Sequence, residues 1–382
     1  MIKEIIIIGG GIGGLSAALL LEKRGFSVRV YEEASSIKGA GAGIGIGSNA
    51  IRALDEAGIG ETILEIGNVL EKQVFLNGRG RKMTELNFSL IDERFGAKNI
   101  TIHRGELLRM LQQALPAKSI QLKKRCIDFK QSKDKVEVIF EDGSKDEADF
   151  VIAADGIHSF FRRKLVPGSV PRYAGYTCWR GVVANKGRIE QHSAAEMIGR
   201  ACRFGIVPLK NEQIYWFACI NAGQKDPALK GARSKDVARL FQKFPQPAVD
   251  LIRETPDDEL LHHDILDIRP LKSFTFDRIA LLGDAAHATT PNMGQGAGQA
   301  IEDAIVLTNA FIKAKTIEQA LHFYNEKRVK RTAKIITMSR QIGAAAQAEN
   351  RFLVKLRDAV FTITPPRLLH KRFQFLYDVD FE

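Results

Sequence analysis

Three short clusters of glycine and acid carry residues from which a nucleotide site could be built. In the first, Gly9, Gly11 and Gly14 take the defining places of G-x-G-x-x-G, with Gly13 inside the same run. Gly9 permits a tight turn, Gly11 lets the backbone approach a pyrophosphate, and Gly14 lets a helix pack closely on a strand. A helix starting there offers unpaired N–H groups and partial positive charge to phosphates. Glu32 stands about twenty residues further on, where a carboxylate can accept hydrogen bonds from a ribose hydroxyl. The second cluster is Asp155-Gly156, followed by Ser159 and Arg162. It reads either as a ligand turn with a phosphate-binding arginine or as a capped helix start with a solvated arginine. The third is Gly283-Asp284, followed by Pro291, Gly294, Gly296 and Ala297. Asp284 suits a sugar or polyol hydroxyl, and the loop after Pro291 opens a helix whose first turn would stabilise a developing anion. His287 between them reads as a residue that orients backbone rather than as a base.

The elements that must hold these clusters follow from periodicity. Residues 5–8 form a β-branched run, as in a strand buried on both faces of a parallel sheet. Leu15, Ala18 and Leu19 recur at helical spacing, Gly25 suits the helix end, and Phe26, Val28 and Val30 alternate as a second strand ending on Glu32. Strand, glycines, helix, strand and acid in register disfavour an ordinary glycine-rich turn. The stretch 39–47 is again glycine-rich and reads as either a backbone passing under a ligand or a loop, with a helix at 49–54 after it. Asn77-Gly78 predicts a hairpin turn between strands 74–76 and 82–86, and Arg104 lies near a helix start. Strands 136–140 and 148–152 flank a turn at 141–143. Residues 150–154 and 279–282 read as buried strands running into the second and third clusters. Between 171 and 270 the texture changes to strands at 176–183, 203–207, 214–220 and 262–268 and one helix near 234–244, as in an antiparallel sheet facing a substrate.

With 382 residues, 45% of them hydrophobic, the chain can bury a large core. Its net charge of +11 comes from scattered Lys and Arg, which fits a field attracting anionic ligands better than a nucleic-acid surface. Cys126, Cys178, Cys202 and Cys219 lack C-x-x-C spacing, so neither a metal site nor a redox pair is indicated, and free thiols point to the cytoplasm. No run is long enough to span a bilayer, and the opening isoleucines are too few for a signal-peptide core.

Fingerprint, Asp-Gly and Gly-Asp in this order, from Ile5 to about Arg340, resemble the single-component, class A flavoprotein monooxygenases. That family includes para-hydroxybenzoate, salicylate and 3-hydroxybenzoate hydroxylases, the FAD-dependent urate hydroxylase and zeaxanthin epoxidase. The resemblance is to the short branch, without the C-terminal thioredoxin-like domain of phenol hydroxylases. It implies an α/β fold: a discontinuous Rossmann-like FAD-binding domain (1–70, 100–170 and 270–345), an inserted, mainly antiparallel β-sheet substrate domain (71–99 and 171–269) and a C-terminal helical segment (346–382). It implies FAD as cofactor and NADPH or NADH as co-substrate. One atom of molecular oxygen would pass, through a hydroperoxide on the flavin, to an aromatic, anionic or otherwise electron-rich small molecule. Glu32 would hold the adenosine ribose, Arg104 would contact FAD, and Asp155 and Gly156 would serve FAD and the nicotinamide cofactor's pyrophosphate. Asp284 would bind the ribityl region. Gly298 departs from the Asn of many members, which touches only a local contact. The partners expected are small molecules, not nucleic acid and not an integral membrane, with the chain a monomer or homodimer.

Arg203 and Tyr215 match positions that line the active site of the urate hydroxylase, Arg203 as an anion-binding group and Tyr215 as an aid to deprotonation. A scaffold role for either is an equal alternative. Arg180 is a further candidate, against a sheet-edge salt bridge. Residues 351–363 have apolar residues at helical spacing, Pro365-Pro366 breaks them, and 367–377 mixes bases with aromatics. Packing on the flavin domain is the expectation there, with membrane-surface binding as the alternative. A flavin-dependent isoprenoid reductase on the same fold and a catalytically silent flavoprotein are the competing functions.

Overall fold

The computed structural model describes residues 2–39 and 42–382; Ala40 and Gly41, within the glycine-rich stretch, lie outside the described residues. Four strands expected from sequence form the middle of a six-stranded sheet: Ile279–Leu281, Phe150–Ala153, Glu4–Ile8 and Ser27–Tyr31, in that spatial order and all parallel. Their residues are almost entirely buried, which is why they read as continuous apolar runs rather than alternating ones. Because neighbouring parallel strands end side by side, the three glycine-and-acid turns emerge together. The Ala154 N–H donates to the Ile8 carbonyl at 2.8 Å, and the Leu282 N–H donates to the Ala153 carbonyl at 2.9 Å. The carboxyl edge of an open parallel sheet is where such folds bind ligands.

Two helices cover this edge, Ile12–Lys23 and Gly296–Lys313, and the glycines set their approach. Gly9 has φ +113°, and a β-carbon there would lie 2.3 Å from the Ala154 carbonyl oxygen. One on Gly14 would lie 2.0 Å from the Gly9 carbonyl oxygen, and one on Gly13 would meet the Leu282 Cδ2 at 2.6 Å and the Ala300 Cβ at 3.1 Å. These three positions are closed by packing. Gly11 differs, because among the described residues nothing stands within 4 Å of its missing side chain.

A second sheet of seven strands runs Leu261–Asp267, Arg172–Ala184, Gln213–Asn221, Cys202–Leu209, Ser193–Ile198, Lys72–Asn77 and Lys82–Asn87. All pairs are antiparallel except Ser193–Ile198 with Lys72–Asn77. Alternation along each strand separates two faces. Trp179, Phe204 and Trp216 pack on helices Ser234–Leu240 and Gln246–Glu254, while Arg180, Arg203 and Tyr215 face the other way, toward the first sheet.

Several local expectations need correction. The region near 234–244 holds two helices rather than one, since a second begins after Pro245. The Asn77-Gly78 turn is a longer loop: Asn77 is still paired with Arg81, and its side-chain oxygen accepts the Arg79 and Arg81 N–H groups. The hairpin after 136–140 returns through Lys145–Ala148, and Phe150 starts a strand of the other sheet. Within the glycine-rich stretch, Gly43–Ile46 is a strand paired with Ile100–His103.

The contact at Gly14 sets a prediction. Gly14→Ala should destabilise the fold by at least about 1–3 kcal/mol, as overpacking does, with its thermal midpoint lowered accordingly. An unchanged midpoint would mean that helix and strand are not held this closely.

Candidate functional site

Between the two sheets lies a cavity of about 1290 Å³. Gly11, Gly13, Arg104, Asp284, Pro291, Gly294, Gly296 and Ala297 line one side, and Arg180, Arg203 and Tyr215 line the other. Gly9, Gly14, Glu32 and Asp155 are not among its lining residues. Glu32 accepts the Gly10 N–H at 2.7 Å and the Ala34 N–H at 2.9 Å, so it fixes the fingerprint loop through the backbone. Asp155 accepts the Phe160 N–H at 2.8 Å and the Phe161 N–H at 3.3 Å, holding the helix that follows its turn. Burial pushes its carboxyl above the ordinary range, against these donors.

Arg162 fits neither of its two expected roles. It is fully buried and donates to the Asp284 carbonyl at 3.3 Å, to the Ala285 carbonyl at 3.0 Å and to the Ile157 carbonyl. Ser159 caps its helix by accepting the Arg162 N–H at 2.9 Å. The guanidinium therefore staples the second glycine-and-acid turn to the third and is not among the residues that line the cavity.

Asp284 opens onto the cavity although it lies deep among protein atoms. Burial raises its pKa, while His287, Arg104 and Arg162 pull it down. The Arg104 guanidinium also projects into the cavity and has no hydrogen-bond partner among the described residues. The helix Gly296–Lys313 points its amino terminus at the same space, after Gly294 at φ +62° turns the chain into it. Open space at Gly11, helix amino termini, a free cation and a carboxylate at a strand end suit a dinucleotide cofactor.

What holds the third turn in place was missed from sequence. Glu302 and Asp303 are adjacent and fully buried. Asp303 accepts the Gly283 N–H at 2.8 Å, pairs with His287 Nε2 at 2.5 Å and with Arg328 Nε at 2.6 Å. Glu302 pairs with Arg328 and, at 2.7 and 2.9 Å, with Arg331, and accepts from Asn49 at 2.5 Å. Burial works against both charges, yet the arginines, with His287 beside Asp303, hold both carboxylates below their ordinary range. His287 thus orients the turn. Two acids in sequence and two arginines three apart on the next helix, Ile317–Ala346, were the available signal.

Across the cavity, Arg203 is nearly buried and joins the two sheets' elements. It pairs with Glu196 at 3.1 Å and donates to the Asn292 side chain, with the Tyr176 hydroxyl at 3.4 Å. Its Nε has no partner among the described residues. Burial pushes the Tyr215 phenol well above its ordinary range despite the nearby Arg180 cation, so it is a neutral donor at pH 7. Its ring rests on Gly43, where a β-carbon would fall 2.7 Å from the Tyr215 Cβ. Cys178 and Cys219 stand opposite each other in register, both buried and both lining the cavity, a neighbourhood that spacing along the chain could not reveal.

This fold and cavity define a flavin-type nucleotide enzyme. The FAD binding domain family matches residues 3–339. The aurachin C monooxygenase/isomerase of Stigmatella aurantiaca is 35% identical over 93% of this chain and 92% of its own length. A FAD-dependent urate hydroxylase of Klebsiella pneumoniae is 33% identical over 88% and 89%. The structure of Klebsiella pneumoniae HpxO complexed with FAD and uric acid superposes with a TM-score of 0.90, at 30% identity, over 98% of this chain and 96% of that one. The chain belongs to this FAD-binding family and, within it, to the FAD-dependent aromatic monooxygenases.

The buried ion cluster makes a signed prediction. Arg328→Gln leaves two buried carboxylates short of a partner and should cost about 3–5 kcal/mol at pH 7. Depressed carboxylates stabilise above their unfolded range and lose that contribution as pH falls. The difference between wild type and Arg328→Gln in denaturant unfolding should therefore narrow below about pH 4. A difference independent of pH would place the energy elsewhere than in these charges.

Proposed function

We propose that the cavity is the reaction chamber of an NAD(P)H-consuming hydroxylase, which adds one oxygen atom of O2 to an aromatic or other electron-rich, anionic small molecule in the cytoplasm. The reading rests on one observation: a single cavity separates the nucleotide-type turns from a wall bearing Arg180, Arg203 and Tyr215. Gly11 and the amino terminus of Ile12–Lys23 would hold the pyrophosphate of FAD, Glu32 the adenosine ribose, and Asp284 with Arg104 the middle of the cofactor. The backbone at 294–297 would face the ring edge, where a helix amino terminus favours negative charge. Bound FAD supplies electron transfer from the nicotinamide and the activation of oxygen.

The protein's own residues then position and dry the substrate. Arg180 and the neutral Tyr215 hydroxyl offer a cation and a hydrogen-bond donor to an anionic or phenolic oxygen. Arg203 acts by position, because its bond to Asn292 fixes the loop after Pro291 relative to the substrate wall. Phe75, Phe217 and Val207 line the same space with apolar surface and limit water.

Oxygen uptake and mass gain of one oxygen across phenols, hydroxybenzoates, purines and polycyclic antibiotics test the reading directly. Substrate-stimulated NAD(P)H oxidation without oxygen uptake would instead identify a reductase. Gly11→Leu should leave the melting temperature of the FAD-free protein unchanged, since its side chain enters open space, yet lower FAD occupancy at least about tenfold through lost backbone approach. Retained yellow colour in that variant would contradict the cofactor placement. Arg203→Ala should keep NAD(P)H oxidation but reduce the fraction of oxygen recovered in product. Unaltered coupling would leave Arg203 a scaffold residue.

A further inference from the structure

The helix Arg351–Ile363 is oriented against the usual rule. Its charged Arg357 faces inward and donates to the carbonyls of Gly199 at 3.0 Å, Ala346 at 2.9 Å and Ile198 at 3.3 Å. Phe361 packs on Phe75, ring centroids 5.9 Å apart. The opposite face carries Phe352, Leu356, Val360 and Ile363, spaced four, four and three residues apart as one stripe. These side chains face outward: Phe352 is 71% exposed and Ile363 75%, with Leu353 beside them also open. After Pro365, the helix Pro366–Phe373 adds exposed Leu368. Other large exposed apolar residues, Leu90, Ile127, Val170, Leu240 and Ile312, are scattered along the chain. An exposed apolar stripe of this kind marks an interaction surface.

Charge narrows the occupant. Arg351 and Lys355 border the stripe, and Arg367, Lys371 and Arg372 follow on the next helix, all exposed. The one acid between Asn350 and Phe373 is Asp358, which is already paired with Arg357. Apolar side chains flanked by Lys and Arg on a helix too short and too charged to cross a bilayer fit the plane of an anionic lipid interface. A second copy of this chain would bring the same bases against each other. Position adds a further argument: Val360 and Leu368 are exposed and also line the cavity, so the patch continues into the cavity mouth through Phe361 and Leu369.

We infer that this face docks on an anionic lipid surface, with Phe352, Leu353, Leu356 and Ile363 entering the headgroup–acyl boundary and the neighbouring bases meeting lipid phosphates. The cavity mouth then opens toward the acyl region, so that an apolar-tailed substrate could enter without crossing water. That corollary rests on the cavity being the reaction chamber; the docking itself does not. The expected packing is also present, with Arg357 and Phe361 seated on the second sheet.

Flotation of the FAD-loaded full chain with vesicles tests it. Vesicles containing phosphatidylglycerol should carry the protein, pure phosphatidylcholine vesicles much less, and raised salt should release it. The double variant Leu356→Glu/Ile363→Glu changes residues outside the cavity wall. It should keep FAD absorbance and melting temperature while vesicle binding falls at least about tenfold. Failure of the wild type to float with phosphatidylglycerol overturns the inference, and so does equal flotation of the variant. A lipid-free dimer that the same substitutions dissociate would assign the face to a second copy instead.

Discussion

The third turn depends on a buried cluster of five charged or titratable groups: Glu302, Asp303, Arg328, Arg331 and His287. Removing such groups from water is costly, and the cost is met here because the two carboxylates and two arginines each find several partners and His287 pairs with Asp303. Asp303 spends one oxygen on the Gly283 N–H and His287 and the other on Arg328. The geometry of Gly283 and Asp284 is thus tied to the long helix Ile317–Ala346 rather than to its own short sequence. Arg162 extends the tie by binding the carbonyls of Asp284 and Ala285 to the Asp155 turn. The turn on one side of the cavity is thus held by side chains from distant elements.

The opposite wall is organised by a simpler rule. Strand alternation sends Trp179, Phe204 and Trp216 to the helices and Arg180, Arg203 and Tyr215 to the cavity. Aromatic burial on one face thereby fixes which side chains can meet a ligand on the other. A one-residue slip in any of these strands would exchange the two sets.

Much of the first sheet was legible because its chemistry is local. The run 5–8, the glycines and the strand 150–153 each announce themselves within a few residues. The strand Ser193–Ile198 was not, because Ser, two Ala and Glu carry little strand preference and are recruited by pairing with Lys72–Asn77. The helix Gln246–Glu254 was hidden by the prolines around its start. At the site, the lining residues 284, 291, 294, 296 and 297 came from motif spacing. The fates of Asp155, Glu32 and Arg162 did not, since a motif names a residue without saying which backbone groups it will meet. Buried ion clusters and cross-strand neighbours such as Cys178 and Cys219 join residues far apart in sequence and leave no short signature.

The contact of Tyr215 with Gly43 makes two distant segments behave as a single mechanical part. The strand Gly43–Ile46 and the Tyr215 phenol both border the cavity, and no atom of the described residues separates the glycine from the ring's first carbons. Any sideways shift of that strand must push the ring with it. The fit is that of a cam against its follower, by hard contact rather than through a hinge or a relay of hydrogen bonds.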